Sequence, residues 1–434
     1  VLFRNRKVGI PMKVLIVGGG GREHAIAFKV SQSSLVSKIY CAPGNAGMEE
    51  FGQCVSIGVM EFEKLADFAS KEKIDLTIIG PDDPLVGGIT DVFLAKGLRV
   101  FGPKKNAALL EGSKAFSKDL MKKYNIPSAA YETFDHANEA IAYLSSCAYP
   151  IVLKADGLAL GKGVLICNDF DEAKSGVREI MIEKKFGAAG DRLVVEEFMT
   201  GREVSVLAFC DGTDISIMTS AQDHKRALDG DKGLNTGGMG TFSPSPFYTT
   251  EVDEYCKENI YKPTMAAMKK ERRDFVGILF FGLMLTEKGP QLLEYNARFG
   301  DPETQVVLPR LKNDIVEIFE ACIDGTLKDI HLEFEDNAAV CVILASEGYP
   351  NEYTKGYEIE GLDHFKEKEG YYAFHSGTMK TPEGIVTNGG RVLGITATGT
   401  NLLKARENAY KATEWVTFEN KYMRGDIGRA IEEM

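Results

Sequence analysis

The stretch Leu292-Leu-Glu-Tyr-Asn-Ala-Arg-Phe-Gly-Asp-Pro-Glu303 decides how this chain reads. Its first half alternates as a strand does, which places Glu294 and Asn296 on one face, where two oxygen donors suit a hard cation such as Mg²⁺. Arg298, Asp301 and Glu303 follow in a turn carrying Gly300 and Pro302. Inward polar groups at this density cost free energy unless an ion or substrate meets them; the bland alternative is an edge strand held by salt bridges.

Upstream lie four further segments of the same character. Val194-Val-Glu-Glu-Phe-Met-Thr-Gly-Arg-Glu203 is a strand running into a turn, able to offer a nucleotide base a backbone edge, the apolar faces of Phe198 and Met199, and a carboxylate, Glu203, for ribose hydroxyls. Taken alone it reads as readily as an amphipathic strand with solvated acids. Lys154-Ala-Asp-Gly-Leu-Ala-Leu-Gly-Lys-Gly163 has strands on both sides and no helix after it, so it is not a Walker loop. A glycine-rich hairpin with two lysines can close over a triphosphate, and equally can be an exposed, flexible turn. Gln222-Asp-His-Lys-Arg226, followed by Asn235-Thr-Gly-Gly-Met-Gly240, reads as a substrate-contacting loop in which Met239 packs and His224 is either structural or a substrate contact.

The most N-terminal of these segments is Gly18-Gly-Gly-Gly-Arg-Glu-His24, which follows a strand and opens a helix, the arrangement in which backbone N–H groups and the helix dipole hold an anion. A dinucleotide fingerprint would need a third glycine where Glu23 stands. Strands at 14–17, 38–40, 76–79 and 99–101 each end in a loop (18–21, 43–47, 80–84, 102–103), the pattern of a parallel sheet whose four loops would converge on one site. Further strands are expected at 151–154, 164–167 and 193–197. The final segment, 338–434, reads as strand-rich and ending in a helix.

Bulk composition agrees. The chain has 434 residues, enough for about three domains. Its formal net charge of -12 would repel phosphate backbones and anionic lipid, so nucleic acid and membrane are not expected partners. The apolar run 278–285 falls far short of the roughly 18 residues a membrane span needs and reads as a core strand. Eight cysteines without a Cys-x-x-Cys pair fit a reducing cytoplasm. Residues 1–11 read as an N-terminal extension.

With these segments in view the chain resembles the ATP-grasp ligases, and within them the glycinamide ribonucleotide synthetases. The resemblance runs from Met12 to the C-terminus through GGGGREHA, APGNAG, LEGSKAF, LKADGLALGKGV, VEEFMTGRE, QDHKR, NTGGMG and NARFGDPETQ, and in the tail through TNGGRVL, NAYKA and DIGRAI. It implies an α/β and α+β fold: an N-terminal parallel α/β domain (12–112), an ATP-grasp domain (113–336) with a mobile lid near 128–202, and a small strand-rich C-terminal domain (337–434). It implies ligation of glycine to 5-phosphoribosylamine with ATP as co-substrate, in purine synthesis, by a monomer or weak oligomer.

The resemblance also assigns residues. Lys114 and Lys154 would contact ATP phosphates under a lid of Gly161, Lys162 and Gly163. Glu196, Glu197 and Phe198 would form the adenine hinge and Glu203 would hold the ribose. Glu294 and Asn296 would bind Mg²⁺ or Mn²⁺. Gly18, Gly20, Gly21, Asn45, Lys225, Arg226, Gly238 and Asp301 would face substrate, with Arg298, Asp223 and Lys154 at the reacting groups. The chain departs from the family pattern at Gly19, Lys232, Leu234 and Ala297, and Gly282 stands where many ATP-grasp enzymes carry an additional metal carboxylate. A sister ligase acting on another acid, or a scaffold that kept the fold, are the competing readings; the first is disfavoured by the run from Arg298 to Gln305, the second by retention of Glu294, Asn296 and the lid lysines.

Overall fold

The computed structural model describes residues 11–158, 163–366 and 368–431. The strand Met12–Gly18 lies at the middle of a five-stranded parallel sheet in the order Gln53–Cys54, Val36–Pro43, Met12–Gly18, Leu76–Ile79, Val100–Phe101. Its near-continuous apolar sequence follows from burial on both faces. Val14 and Ile16 enter one core with Ile39 and Ile78, while Leu15 and Val17 enter a second with Tyr40 and Ile79.

Those two cores do not stop at the edge of the sheet. A four-stranded antiparallel sheet, Ile215–Ile217, Arg202–Asp211, Val276–Thr286 and Gly289–Asn296, splits its side chains between the same pair. Leu207, Phe209, Ile278 and Phe280 join the first core; Val204, Val206, Leu279 and Phe281 join the second. The segment 278–285 is thus a central strand of the molecule.

The strands Tyr131–Phe134, Leu193–Glu197, Ile151–Ala155 and Val164–Cys167 form a separate antiparallel sheet. It packs on Ala140, Leu144, Val177 and Ile180, a core distinct from the other two. A unit with its own core and glycine-rich connections can move as a body.

One sheet crosses the boundary expected near 337. The strands Gln222–Asp223 and Gly240–Ser243 pair into a sheet with Ala338–Ser346, Arg391–Gly399 and Tyr371–His375, so QDHKR and NTGGMG are carried on the C-terminal sheet. The C-terminal segment does not end on its helix. Leu402–Thr413 is followed by the short strand Lys421–Tyr422, which pairs back onto Ala338–Ser346, and by a 3-10 turn at Arg429–Ile431. Among the described residues no helix is long and apolar enough to cross a membrane.

Candidate active site

A cleft of about 1330 Å³ separates the lid sheet from the long antiparallel sheet, and residues of all parts of the chain line it. Glu294 and Asn296 both face it by alternation, and a β-bulge lies just before them. Gly282 pairs with Glu294 while Leu283 pairs with Leu292, leaving Leu293 as the extra residue. Strict alternation would put Leu292 on the same side as Glu294; the bulge turns Leu292 into the core and Leu293 with Glu294 into the cleft. A side chain at 282 would crowd Glu294, since a Cβ there meets Glu294 Cγ at 3.2 Å. Behind Gly282 a second cavity of about 20 Å³, lined by Glu203, Ser205, Asp223, Lys225 and Glu294 among others, has room for about one water.

The electrostatics of the cleft turn on Glu294. Burial disfavours its charge, but Lys225, Lys154, Lys114 and Arg298 together hold its carboxyl below the usual range. Lys154, Arg298 and Lys225 each have a further carboxylate beside them, Glu196, Glu111 and Asp223, so Glu294 is the acid these cations share. Lys114 opens the helix Lys114–Lys123, capped by Ser113 through Phe116 N. Its ammonium donates to Gly157 O at 2.8 Å, and burial lowers its pKa. Ser113 Oγ and Ala115 N both donate to Asp156, tying the entry of the lid hairpin to this helix.

Lys154 lies within 3.0 Å of Glu196 Oε1, and Lys118 within 3.1 Å of Glu196 Oε2. This modifies the expected hinge. Glu196 sits in mid-strand between Tyr131 and Val152, so its backbone is flanked on both sides and its carboxylate is the part that faces the site. Glu197, the last paired residue of the strand, and Phe198 just beyond it both line the cleft. Gly163 and Glu203 also line it. Gly161 and Lys162 lie outside the described residues.

Arg298 points toward the N-terminal domain. Its Nη2 lies 3.0 Å from Glu111 Oε1 and donates to Asn296 Oδ1 at 3.2 Å, with Asp82 at 4.0 Å. Glu111 Oε2 accepts from Ala297 N at 2.7 Å, so one carboxylate holds both the backbone and the guanidinium of this turn. Burial, and then the charge of Asp82, push the Glu111 carboxyl up to about 7 against the opposing Arg298. The folded chain therefore favours the proton on Glu111 more than the unfolded chain does, and this contribution to stability is complete below about pH 4.5 and lost as pH rises through about 7. In Glu111→Gln, the fall in urea midpoint that the parent chain shows across that window is expected to flatten; an unchanged slope would assign the pH dependence elsewhere.

Asp223 and Lys225 sit side by side, with Lys225 Nζ 3.7 Å from Asp223 Oδ2. Burial and the neighbouring Glu303 push the Asp223 carboxyl upward, and Glu303 is itself held by Ser205 Oγ at 3.0 Å. Burial opposes the charge of Lys225, which Asp223, Glu294 and Glu303 sustain. Arg226 lines the cleft and donates to Gly233 O. Gly238, at φ +116, packs against Asp223 and Pro302 without lining the cleft. His224 lines the cleft with both ring nitrogens engaged: Nδ1 meets Gly240 O at 3.2 Å and Nε2 accepts from Gly428 N at 3.2 Å. Met239 is fully buried in the core.

The N-terminal loops are used more narrowly than expected. Of the four, the loop 80–84 lines the cleft through Asp82, and the first contributes through the residue that follows it, Arg22. They flank the central strands Met12–Gly18 and Leu76–Ile79, where the order of the sheet reverses and a crevice opens; the loops of the outer strands lie away from it. The open anion cradle expected at Gly18–Gly21 is already partly filled. Gly20 N donates to Glu23 Oε2 at 2.7 Å, and a Cβ on Gly18 would strike Glu23 Cγ at 2.4 Å. Gly21 is packed against Gln305 and Ser376. The positive group here is the Arg22 side chain, which bonds Glu23 at 2.6 Å and Phe299 O at 3.1 Å. His24 instead accepts from His375 N at 2.7 Å, and burial, then His375, keep it neutral.

Asn45 stands behind the cleft wall with its amide fully engaged. Nδ2 donates to Gly19 O and His375 O, while Oδ1 accepts from Gly47 N and Met48 N. Asp301 does line the cleft. It accepts from Gln305 Nε2 at 2.8 Å and faces Arg391 at 3.5 Å, and Arg391 donates to the carbonyls of Gly237 and Asp301.

Lys118, Glu111, Asp82, Arg22, Arg391 and Tyr349 were not singled out from sequence. Lys118 carries a local signal, four residues beyond Lys114 on the same helical face, and Arg22, Glu111 and Arg391 lie inside the runs GGGGREHA, LEGSKAF and TNGGRVL. Arg391 and Tyr349 arrive from the C-terminal sheet and the loop beyond it, so their place in the cleft depends on the fold.

A lid sheet facing a long antiparallel sheet across a lysine-rich cleft, behind a parallel N-terminal sheet, defines an ATP-grasp enzyme. The biotin carboxylase domain of the Hydrogenobacter thermophilus 2-oxoglutarate carboxylase shares the fold at 16% identity, with a TM-score of 0.73 over 95% of this chain and 92% of that one. The chain belongs to the phosphoribosylglycinamide synthetase family, whose N domain matches residues 12–111, ATP-grasp (A) domain 112–304 and C domain 339–430. The phosphoribosylamine–glycine ligase of Caldanaerobacter subterraneus subsp. tengcongensis is 52% identical over 96% of this chain and 99% of its own length. That of Clostridium acetobutylicum is 48% identical over 96% and 100%. The crystal structure of the Thermotoga maritima phosphoribosylamine–glycine ligase, 34% identical, superposes with a TM-score of 0.82 and covers 96% of this chain and all of that one.

Proposed function

We propose that this enzyme joins glycine to 5-phosphoribosylamine, converting ATP to ADP and phosphate through a glycyl phosphate, and so makes glycinamide ribonucleotide for purine synthesis. The observation that carries the reading is the convergence of Lys114, Lys154, Lys225 and Arg298 on Glu294 in a cleft that all parts of the chain line. The names of the relatives at 52% and 48% identity supply the two substrates joined. Cytoplasmic residence belongs to the same proposal.

A carboxylate does not condense with an amine in water because its oxygen is a poor leaving group. Phosphorylation makes it a good one, and that step needs alignment and charge neutralisation more than covalent help. Lys114 and Lys154 meet the phosphates. Glu197 and Phe198 receive the adenine, with Glu196 serving through its hold on Lys154, and Glu203 takes the ribose. Arg298, fixed by Glu111, orients the glycine carboxylate and stabilises the oxyanion when the amine attacks. Lys225, Arg226, Arg22 and Asp301 face the phosphoribosylamine. The glycines at 18, 20 and 21, Gly238 and Asn45 act through close packing that keeps these side chains in place.

Mg²⁺ or Mn²⁺ would be held by Glu294 and Asn296. The residues fit: Mg²⁺ typically takes one or two protein oxygens and completes its shell with phosphate and water. Among the described residues no cluster of three or more acidic, cysteine or histidine side chains offers a closed cage. When bound, the ion neutralises phosphate charge.

Asp223, with its pKa raised and its carboxyl beside Lys225, is suited to take the amine proton. Asp223→Asn is expected to lower turnover by roughly 10²-fold. It should also abolish the rise in rate with pH that a base shows through its own pKa. Full turnover with an unaltered pH–rate profile would remove Asp223 from the mechanism. The defining assay supplies ATP, Mg²⁺, glycine and freshly made phosphoribosylamine and follows glycinamide ribonucleotide. Equal ADP formation without glycine would overturn the assignment.

A further inference from the structure

Cys41 and Cys54 are register partners on neighbouring parallel strands, Val36–Pro43 and Gln53–Cys54. Paired residues of adjacent strands sit about 4.8 Å apart, inside the roughly 4.4–6.8 Å between Cα atoms that a disulfide spans. Both side chains lie on one side of the strand pair. A Cβ on Gly44 would meet Cys54 Sγ at 2.4 Å, Cys41 Cβ at 3.0 Å and Cys54 Cβ at 3.4 Å, so Gly44 sits over the two together. Both are free thiols; Cys41 is fully buried and Cys54 is partly exposed. Cys54 Sγ lies 3.6 Å from Asn45 O, and the closeness of the two sulfurs favours the thiolate on Cys54 while it and burial push Cys41 up. The pair thus has an accessible, activated sulfur and a shielded partner within reach, the arrangement of an attacking and a resolving cysteine.

We propose that Cys41 and Cys54 form a reversible disulfide and that its formation loosens the substrate wall of the cleft. The Cys54 thiolate attacks the terminal oxygen of a hydroperoxide; the O–O bond breaks, the alkoxide leaves as the alcohol with the former thiol proton, and Cys54 becomes a sulfenic acid. Cys41 sulfur then attacks Cys54 sulfur, the S–O bond breaks, and the hydroxyl leaves as water with the Cys41 proton. Two thiols lose two electrons and the hydroperoxide gains them.

The consequence travels through contacts. Cys54 Sγ lies 3.6 Å from Asn45 O, and Asn45 in turn holds Gly19 O and His375 O. The Gly44 carbonyl stands against Gly19, where a Cβ would meet it at 2.5 Å. Drawing the two sulfurs together beneath Gly44 moves this loop, and with it the glycine loop that carries Arg22. This effect rests on the proposed role of Arg22 toward phosphoribosylamine; the disulfide itself does not.

The test exposes the full-length protein to tert-butyl hydroperoxide, blocks remaining thiols, digests without reductant and measures masses. A peptide pair joined through Cys41 and Cys54, lighter by two hydrogens and released by dithiothreitol, is expected. Cys41→Ser should stop at a Cys54 sulfenic acid trapped by dimedone, and Cys54→Ser should leave Cys41 unmodified. Oxidised enzyme should show at least a five-fold rise in KM for phosphoribosylamine, no change in KM for ATP, and recovery with dithiothreitol; Cys54→Ser should not respond. Oxidation of Cys54 in the parent chain without the link would overturn the pair, even if the Cys41 variant failed to fold. A link with unchanged KM would overturn its control of the loop. The mass readout holds whichever substrates the enzyme uses, so its failure is separate from failure of the proposed function.

Discussion

Glu294→Gln is expected to lower ligation by roughly 10³-fold, the scale on which single groups stabilising charge in a transition state act. The carboxylate is the group on which Lys225, Lys154, Lys114 and Arg298 converge, and it shares the cleft face with Asn296. Glutamine keeps the shape and the strand pairing with Gly282 but removes the charge. Two quantities should then change together. Turnover falls, and Mn²⁺ binding in the presence of ADP, followed by electron paramagnetic resonance, weakens at least tenfold or so, as expected when an anionic ligand is lost. Nucleotide binding without metal should persist, because the cations remain. A variant that kept more than a tenth of the parent turnover would place the cation elsewhere.

Glu196→Ala carries the largest expected effect on stability. Its carboxylate pairs with Lys154 at 3.0 Å and Lys118 at 3.1 Å, with side-chain exposures of 3%, 9% and 2%. Breaking a buried pair from one side costs about 3–5 kcal/mol because the remaining charge is left without a partner. Here two ammonium groups are left. Burial already lowers the pKa of Lys118, so it can shed its proton and limit the penalty, which points to the lower end of the range, about 3 kcal/mol. The strand that carries Glu196 is the middle of the lid sheet, so the loss should appear first as earlier unfolding of that unit in urea, followed by hydrogen exchange of the strands Leu193–Glu197 and Ile151–Ala155. Exchange in the Met12–Gly18 strand, which belongs to other cores, should be little affected. Uniform acceleration across both regions would contradict an independent lid.

These two residues also show how differently parts of the site were legible. Glu294 and Asn296 could be read because strand alternation is a local property, and both do line the cleft. The bulge at Leu293, which sends Leu292 to the core, could not, because it depends on the register against Val276–Thr286. Glu196 was read as a backbone edge beside adenine. Its real surroundings depend on strands on either side and on a lysine 42 residues away. The glycine loop reads from sequence as a bare anion cradle, yet Glu23 folds back into it and accepts from the N–H of the helix-capping Gly20. Asn45 was read as a substrate contact, whereas four hydrogen bonds tie it between the N-terminal loop and the C-terminal sheet.

Composition, period-two apolar strands, glycine turns and the order of the charged segments were enough to indicate the fold class and the cation-rich cleft. Each of those features is complete within about ten neighbouring residues. The pairing of buried charge belongs to folding alone: Glu111 meets Ala297 across 186 residues, and Arg391 meets Asp301 across 90. A buried charge takes its partner from whatever element packs against it, and that neighbour is set by the shared cores and the crossing sheet, which no single stretch of the chain encodes.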